Sequence, residues 1–301
     1  MKADELRGKL RGAIAFPITP FKPDLSLDVV GLRKNLQTLM AHPVAAMVAA
    51  GGTGEMYSLT PAEHAKVIQV TVEAVGGRVP VIAGTGFNRA IGIALAKQAA
   101  RAGADAILAL PPYYPNADEE ALADYYAALG EATRLPFLVY SRDWVNPGPA
   151  WVERLAERVP NLAAWKDGQG DMRRYQQIMH RVGDRLHWIG GAGDDCVPGY
   201  YSIGLRVYTS SIATVAPRLS LALHEYAAKD DRRELTRLMN DFVIPLYALR
   251  APRKGYEVAV MKEMMHCAGL AAGPVRPPLP NLRPAEVEQV KKMMTGWKEW
   301  L

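Results

Sequence analysis

The sequence predicts a closed (β/α)8 TIM barrel followed by a C-terminal helical extension, on three observations. Eight short apolar or β-branched runs recur along the 301 residues, each too short for a helix and reading as a buried parallel strand. Amphipathic stretches of helix formers separate them, with successive strand ends roughly 20 to 33 residues apart, the length of a βα unit. No glycine-rich dinucleotide turn follows the first run, as a doubly wound open sheet would want, and Gly84-Thr85-Gly86 lacks the third glycine.

In order, the runs are Ala13–Ile18, Ala45–Ala50, Val79–Ala83, Ala106–Leu110, Pro136–Tyr140, Leu162–Lys166, Leu186–Gly191 and Arg206–Ser210. Between them, Asp28 precedes the periodic positions Val29, Val30, Leu32, Leu36 and Leu39. Thr60-Pro61-Ala62-Glu63 carries an N-cap, a proline at the first helical position and a capping-box glutamate. Gly103 ends a helix before the fourth strand. After the eighth strand and its helix, three further helical patterns lie near 231–247, 253–269 and 284–299. No linker or change of composition divides the chain. Residues 1–228 read as the catalytic barrel and 229–301 as a helical extension of the same domain.

Composition excludes several classes. The 36 basic and 31 acidic residues leave +5, but the positive charges are scattered and share helices with acids, so the clustered footprint of a nucleic-acid binder is missing. The longest apolar runs are about ten residues, too short for a bilayer. The N-terminus lacks a hydrophobic signal core and there are two cysteines, Cys196 and Cys267, so a reducing cytoplasm is expected. The six histidines show no HxH or HExxH spacing, and neither a GxSxG elbow nor a P-loop occurs. No metal and no cofactor are expected.

A barrel of this kind places its chemistry at the C-terminal ends of the strands. There, Lys166 closes the sixth run. An amine partly desolvated in the mouth has a lowered pKa and attacks carbonyls, and the resulting imine acts as an electron sink. Alternatively it snorkels to solvent or pairs with Asp167. Tyr140 stands one strand over at equal height, either as a proton relay or as a core aromatic. The turn Gly51-Gly52-Thr53-Gly54-Glu55 offers exposed N–H groups and the Thr53 hydroxyl to a carboxylate, or is simply a tight turn.

The order Phe16-Pro17-Ile18-Thr19-Pro20-Phe21, Gly51–Glu55, Pro112-Tyr113-Tyr114, Tyr140 and Lys166 resembles the dihydrodipicolinate synthase/N-acetylneuraminate lyase superfamily, from about residue 12 to 282. That resemblance implies lysine-dependent chemistry on a small 2-oxo acid in a homotetramer built as a dimer of dimers. Lys166 becomes the Schiff-base lysine and Tyr140 the proton relay. Gly52 and Thr53 would bind the carboxylate beside the reacting carbonyl, and Tyr114 would be lent to the neighbouring subunit's relay. The synthase pattern is departed from at Gly52, where a threonine is usual, and at Ser141-Arg142-Asp143, where Asn-Val-Pro is usual. These variants are more similar to the 5-dehydro-4-deoxyglucarate dehydratase subfamily, whose motifs match Ala49–Glu55, Lys166–Asp171 and Ala272–Leu279. The expected reaction is therefore decarboxylating dehydration of that acid to 2,5-dioxopentanoate. Alternatives are aldol cleavage of a related keto-deoxy sugar acid to pyruvate, a synthase-like condensation, or a non-catalytic keto-acid sensor. Arg142, Ser210 and Ser211 are the expected contacts for the substrate's hydroxyls and remote carboxylate.

Overall fold

The computed structural model describes residues 1–301. Eight strands pair in chain order: β1 (Gly12–Ala15), β2 (Ala46–Ala49), β3 (Val81–Phe87), β4 (Ala106–Pro112), β5 (Phe137–Ser141), β6 (Leu162–Asp167), β7 (His187–Gly190) and β8 (Val207–Ser210). All neighbours are parallel, and β8 closes on β1 with Gly12 opposite Val207 and Ala15 opposite Ser210. Each expected strand is present. No helix is long and apolar enough to cross a membrane.

Alternation along the strands sorts side chains between two cores. Leu138 and Tyr140 on β5, Ala164 on β6, Ile189 on β7 and Val207 on β8 belong to the barrel interior. Their neighbours Phe137, Val139, Trp165 and Tyr208 point outward, into a cluster shared with the surrounding helices. In the same register Tyr140 lies opposite Lys166, and Lys166 opposite Ile189, so both candidate side chains enter the mouth at one level.

The helices form where the local signals place them. Asp28 Oδ1 accepts from the Gly31 N–H at 2.8 Å, the Thr60/Glu63 capping box is closed, and Gly103 takes φ +92 after the helix Arg89–Arg101. The N-terminal helix Ala3–Lys9 was not among the expected elements. It packs Leu6, with Leu10 just beyond its end, into the bottom of the barrel. Burying each leucine is worth about 1.5–3 kcal/mol. Six charged or small residues around two leucines give too short a period to read.

The extension begins as one expected helix and is found as three pieces: Arg232–Leu238, a π turn Met239–Val243, and Ile244–Arg250. Pro245 explains the break, because it has no N–H to return to the Asp241 carbonyl and the turn widens to absorb it. Helices Tyr256–Cys267 and Pro284–Met294 follow, and the last ends earlier than expected, before Gly296 and a short turn over Lys298–Trp300.

Candidate active site

A cavity of about 420 Å³ opens at the C-terminal ends of the strands, lined by Phe16, Gly52, Thr53, Tyr140, Arg142 and Lys166 among others. Lys166 projects from β6 with 3% of its surface exposed. Its Nζ donates to the Gly191 carbonyl at 2.9 Å and sits 3.2 Å from the centroid of the Tyr140 ring. No carboxylate lies within ion-pairing distance. Asp167, the alternative partner, points to the other face of β6, where it accepts from the Tyr200 hydroxyl at 2.6 Å and from the N–H groups of Gln169 and Gly170. Burial therefore pushes the Lys166 amine well below the ordinary lysine range; the positive Arg142 lowers it further and Asp167 opposes. A neutral amine at the base of a cavity is a nucleophile.

Tyr140 donates its hydroxyl to the same Gly191 carbonyl at 3.2 Å. Burial raises its pKa and Arg142 partly opposes, so the phenol keeps its proton and is available as a donor. Two glycines make room for this pair. A Cβ on Gly191 would fall 2.5 Å from Lys166 Nζ, and one on Gly168 would fall 2.5 Å from the Tyr140 ring.

After β2, the turn at Gly51–Glu55 presents the Gly52 and Thr53 amides, which donate to no acceptor in the chain. A Cβ on Gly52 would lie 3.4 Å from Arg142 Nη1, so the guanidinium occupies the space that a side chain at 52 would claim. Arg142 itself stacks 5.9 Å from the Tyr140 centroid. Gly52, Thr53, Tyr140, Arg142, Lys166 and Ser211 thus meet around one cavity.

Two expected residues stand elsewhere. Ser210 is wholly buried behind the wall, donating to Asp194 and accepting from the Ala213 N–H, and does not line the cavity. Alternation explains the difference: on β8 it is Thr209 that faces the cavity and Ser210 that faces away. Tyr114 is 74% exposed beyond the end of β4, beside Tyr113, in a shallow apolar hollow with Phe87, Ile91 and Tyr125. It does not line the cavity of its own chain.

Four further lining residues come from the extension: Tyr247, Arg250, Ala251 and Glu257. Tyr247 donates toward Asp194 Oδ2 at 3.4 Å and accepts from the Asp194 N–H at 2.7 Å. Asp194 is itself wholly buried, and burial raises its pKa although the Ser210 hydroxyl opposes. No local signal in the sequence marks where a helix of the extension docks, so these lining residues are not foreseen there.

The extension also locks the turn that carries Gly52 and Thr53. Glu55, with φ +55 and no exposure, pairs with Lys262 at 2.6 Å and accepts from the Arg276 N–H at 3.0 Å. Arg276 in turn pairs with Glu63 at 2.5 Å and donates to the Ser58 carbonyl at 2.8 Å. The motifs Ala49–Glu55 and Ala272–Leu279, singled out separately in the sequence, are two halves of one clasp.

Comparison with known proteins places these features. The dihydrodipicolinate synthetase family model matches residues 9–296. A protein of Bradyrhizobium diazoefficiens named "Probable 5-dehydro-4-deoxyglucarate dehydratase" is 38% identical over 285 residues, covering 94% of this chain and 91% of its own. One of the same name from Ralstonia nicotianae is 39% identical, covering 94% and 92%. Among solved structures, dihydrodipicolinate synthase from Oceanobacillus iheyensis superposes with a TM-score of 0.93 at 28% identity, over 99% of this chain and all of that one. The enzyme from Bacillus clausii gives 0.91 at 28%, over 97% and 99%.

Proposed function

From the premise that the chain belongs to the dihydrodipicolinate synthetase family, we propose that it is a Schiff-base lyase acting through Lys166, and that its substrate is 5-dehydro-4-deoxyglucarate. The observation that carries this reading is the buried Lys166 amine, held by a carbonyl and an aromatic face with no carboxylate beside it. The names of the relatives and the matching motifs favour the dehydratase outcome.

In this reading the free amides of Gly52 and Thr53 take the carboxylate next to the ketone, presenting the carbonyl carbon to Lys166. The amine adds, Tyr140 delivers a proton to the departing oxygen, and water leaves as the imine forms. The imine acidifies the adjacent methylene. Loss of that proton and expulsion of the β-hydroxyl as water give a conjugated unsaturated imine. The remote carboxylate then departs as CO2, its bonding electrons flowing along the conjugated chain to the imine nitrogen. Reprotonation of the chain and hydrolysis release 2,5-dioxopentanoate and restore the lysine. One substrate dianion and one proton give one CO2, one water and one product, the water lost on imine formation being returned at hydrolysis. We further read the exposed Tyr114 as a group offered to a neighbouring copy in a cytoplasmic homotetramer.

Borohydride reduction in the presence of substrate, followed by peptide mass mapping, tests the mechanism: an adduct is expected on Lys166, and its absence defeats the reading. Product analysis tests the outcome. CO2 and the semialdehyde are expected, whereas release of pyruvate would mean aldol cleavage.

A further inference from the structure

Two guanidiniums line the cavity, and their surroundings differ. Arg142 already has a carboxylate, with its Nε 3.3 Å from Asp143 Oδ2, and its side chain is 40% exposed. Arg250 is 8% exposed and forms no ion pair. Its Nη2 donates to the Ser211 hydroxyl at 3.1 Å and touches the Met261 sulfur, while its buried Nε has no acceptor. The Tyr247 ring, 4.9 Å from the guanidinium carbon, stacks against it and holds its plane. Asp194, a wholly buried acid whose carboxyl feels the Arg250 charge, is engaged by hydrogen bonds from Ser210, Ser211 and Tyr247.

A buried cation with an unused donor, facing a cavity, is a group waiting for an anion. The near carboxylate and the ketone are accounted for by the Gly52–Thr53 amides and Lys166, so the far end of an extended substrate reaches another wall. We propose that Arg250, with the Ser211 hydroxyl, receives the substrate's remote carboxylate and makes the cavity selective for six-carbon 2-oxo diacids over the corresponding monoacids. The inference rests on the Schiff-base reading of the same cavity. Its fork geometry suits a planar carboxylate, which a lysine ammonium would hold only at a point. Arg250 here is a specificity residue. The carboxylate it grips is charged in the bound substrate and leaves as neutral CO2, so the contact favours binding rather than the decarboxylation step. Its loss should therefore raise KM far more than it lowers kcat.

The test uses 2-oxoadipate and 2-oxohexanoate, equal in carbon number, differing in the terminal carboxylate, and lacking a hydroxyl to expel. By calorimetry, the intact enzyme should bind the diacid at least tenfold more tightly. Arg250→Met should bring the two within about twofold, and Arg250→Lys should restore part of the preference. Half-saturation for borohydride trapping of pyruvate, which is too short to reach Arg250, should move far less than that for the diacid. The proposal is overturned if the intact enzyme shows no diacid preference, if the preference persists in Arg250→Met, or if pyruvate trapping weakens in parallel with diacid binding. Failure of the intact enzyme to trap pyruvate would instead defeat the Schiff-base reading, while the diacid-to-monoacid ratio would still decide the role of Arg250.

Discussion

Lys166 and Lys262 are both 3% exposed, yet the fold treats them oppositely. Lys262 is met by Glu55 at 2.6 Å and by the Pro274 carbonyl at 2.7 Å, and it lies 4.3 Å from the centroid of the Phe21 ring. Lys166 also has a carbonyl and an aromatic ring, but no acid. Burial lowers both pKa values; at Lys262 the Glu55 charge resists, whereas at Lys166 Arg142 adds to the shift. Burial alone therefore does not make a nucleophile. What distinguishes the barrel mouth from the clasp is the withheld carboxylate: Asp167, adjacent in sequence, is turned away by strand alternation and satisfied by Tyr200.

The sharpest way to break this contrast is to exchange the lysines' fates. Lys166→Ala should lower turnover by about 10⁴-fold or more, because no other group can form the imine. The assay is CO2 release, and the variant should unfold no more easily than the parent, since a costly buried amine is gone. Retention of a tenth of the activity would deny Lys166 its role. Lys262→Met should instead destabilise by about 3–5 kcal/mol in denaturant titration, because Glu55 is left buried and uncompensated. Lys262→Met combined with Glu55→Gln should recover much of that loss. A single-variant cost under about 1 kcal/mol would show the clasp to be dispensable.

A subtler effect is expected at Tyr140. Tyr140→Phe keeps the ring under Lys166 but removes the proton donor, and should cost about 10²–10³-fold in kcat while slowing borohydride trapping. Equal rates would make Tyr140 a packing residue. The smallest effect is in pH dependence. The folded Lys166 amine titrates well below 10.5, so between those two pKa values the unfolded chain binds the extra proton. Wild-type stability therefore rises with pH across that window. The stability gap favouring Lys166→Met should be full below the folded pKa and narrow as pH approaches 10.5. A constant gap from pH 7 to 10 would mean that the amine is not desolvated as the geometry implies.

Much of the fold was readable because eight strand ends repeat at βα spacing, and because a barrel confines its chemistry to those ends. Lys166 and Tyr140 stood out for that reason, and their register, Tyr140 opposite Lys166, bears out the shared height. Ser210 was misplaced by one step of alternation, which no composition rule fixes when Thr209, Ser210 and Ser211 are all small and polar. Arg250 and Tyr247 were invisible because docking of the extension depends on contacts across the whole molecule and on the π turn forced before Pro245. Likewise Glu55 stands in a turn the sequence singles out, but nothing local announces its pairing with Lys262, 207 positions further on.

That separation has a consequence in time. Ribosomes deliver roughly 5–20 residues per second, so Glu55 emerges on the order of 10–40 s before its partner. When the eighth strand is completed at Ser210, the turn bearing Gly52 and Thr53 still has no clasp, and neither Arg250 nor Lys262 has been made. Lys166 is thus made before Arg250 and Lys262, and in the proposed reading synthesis of the final segment is the event that turns a bare amine into a discriminating site.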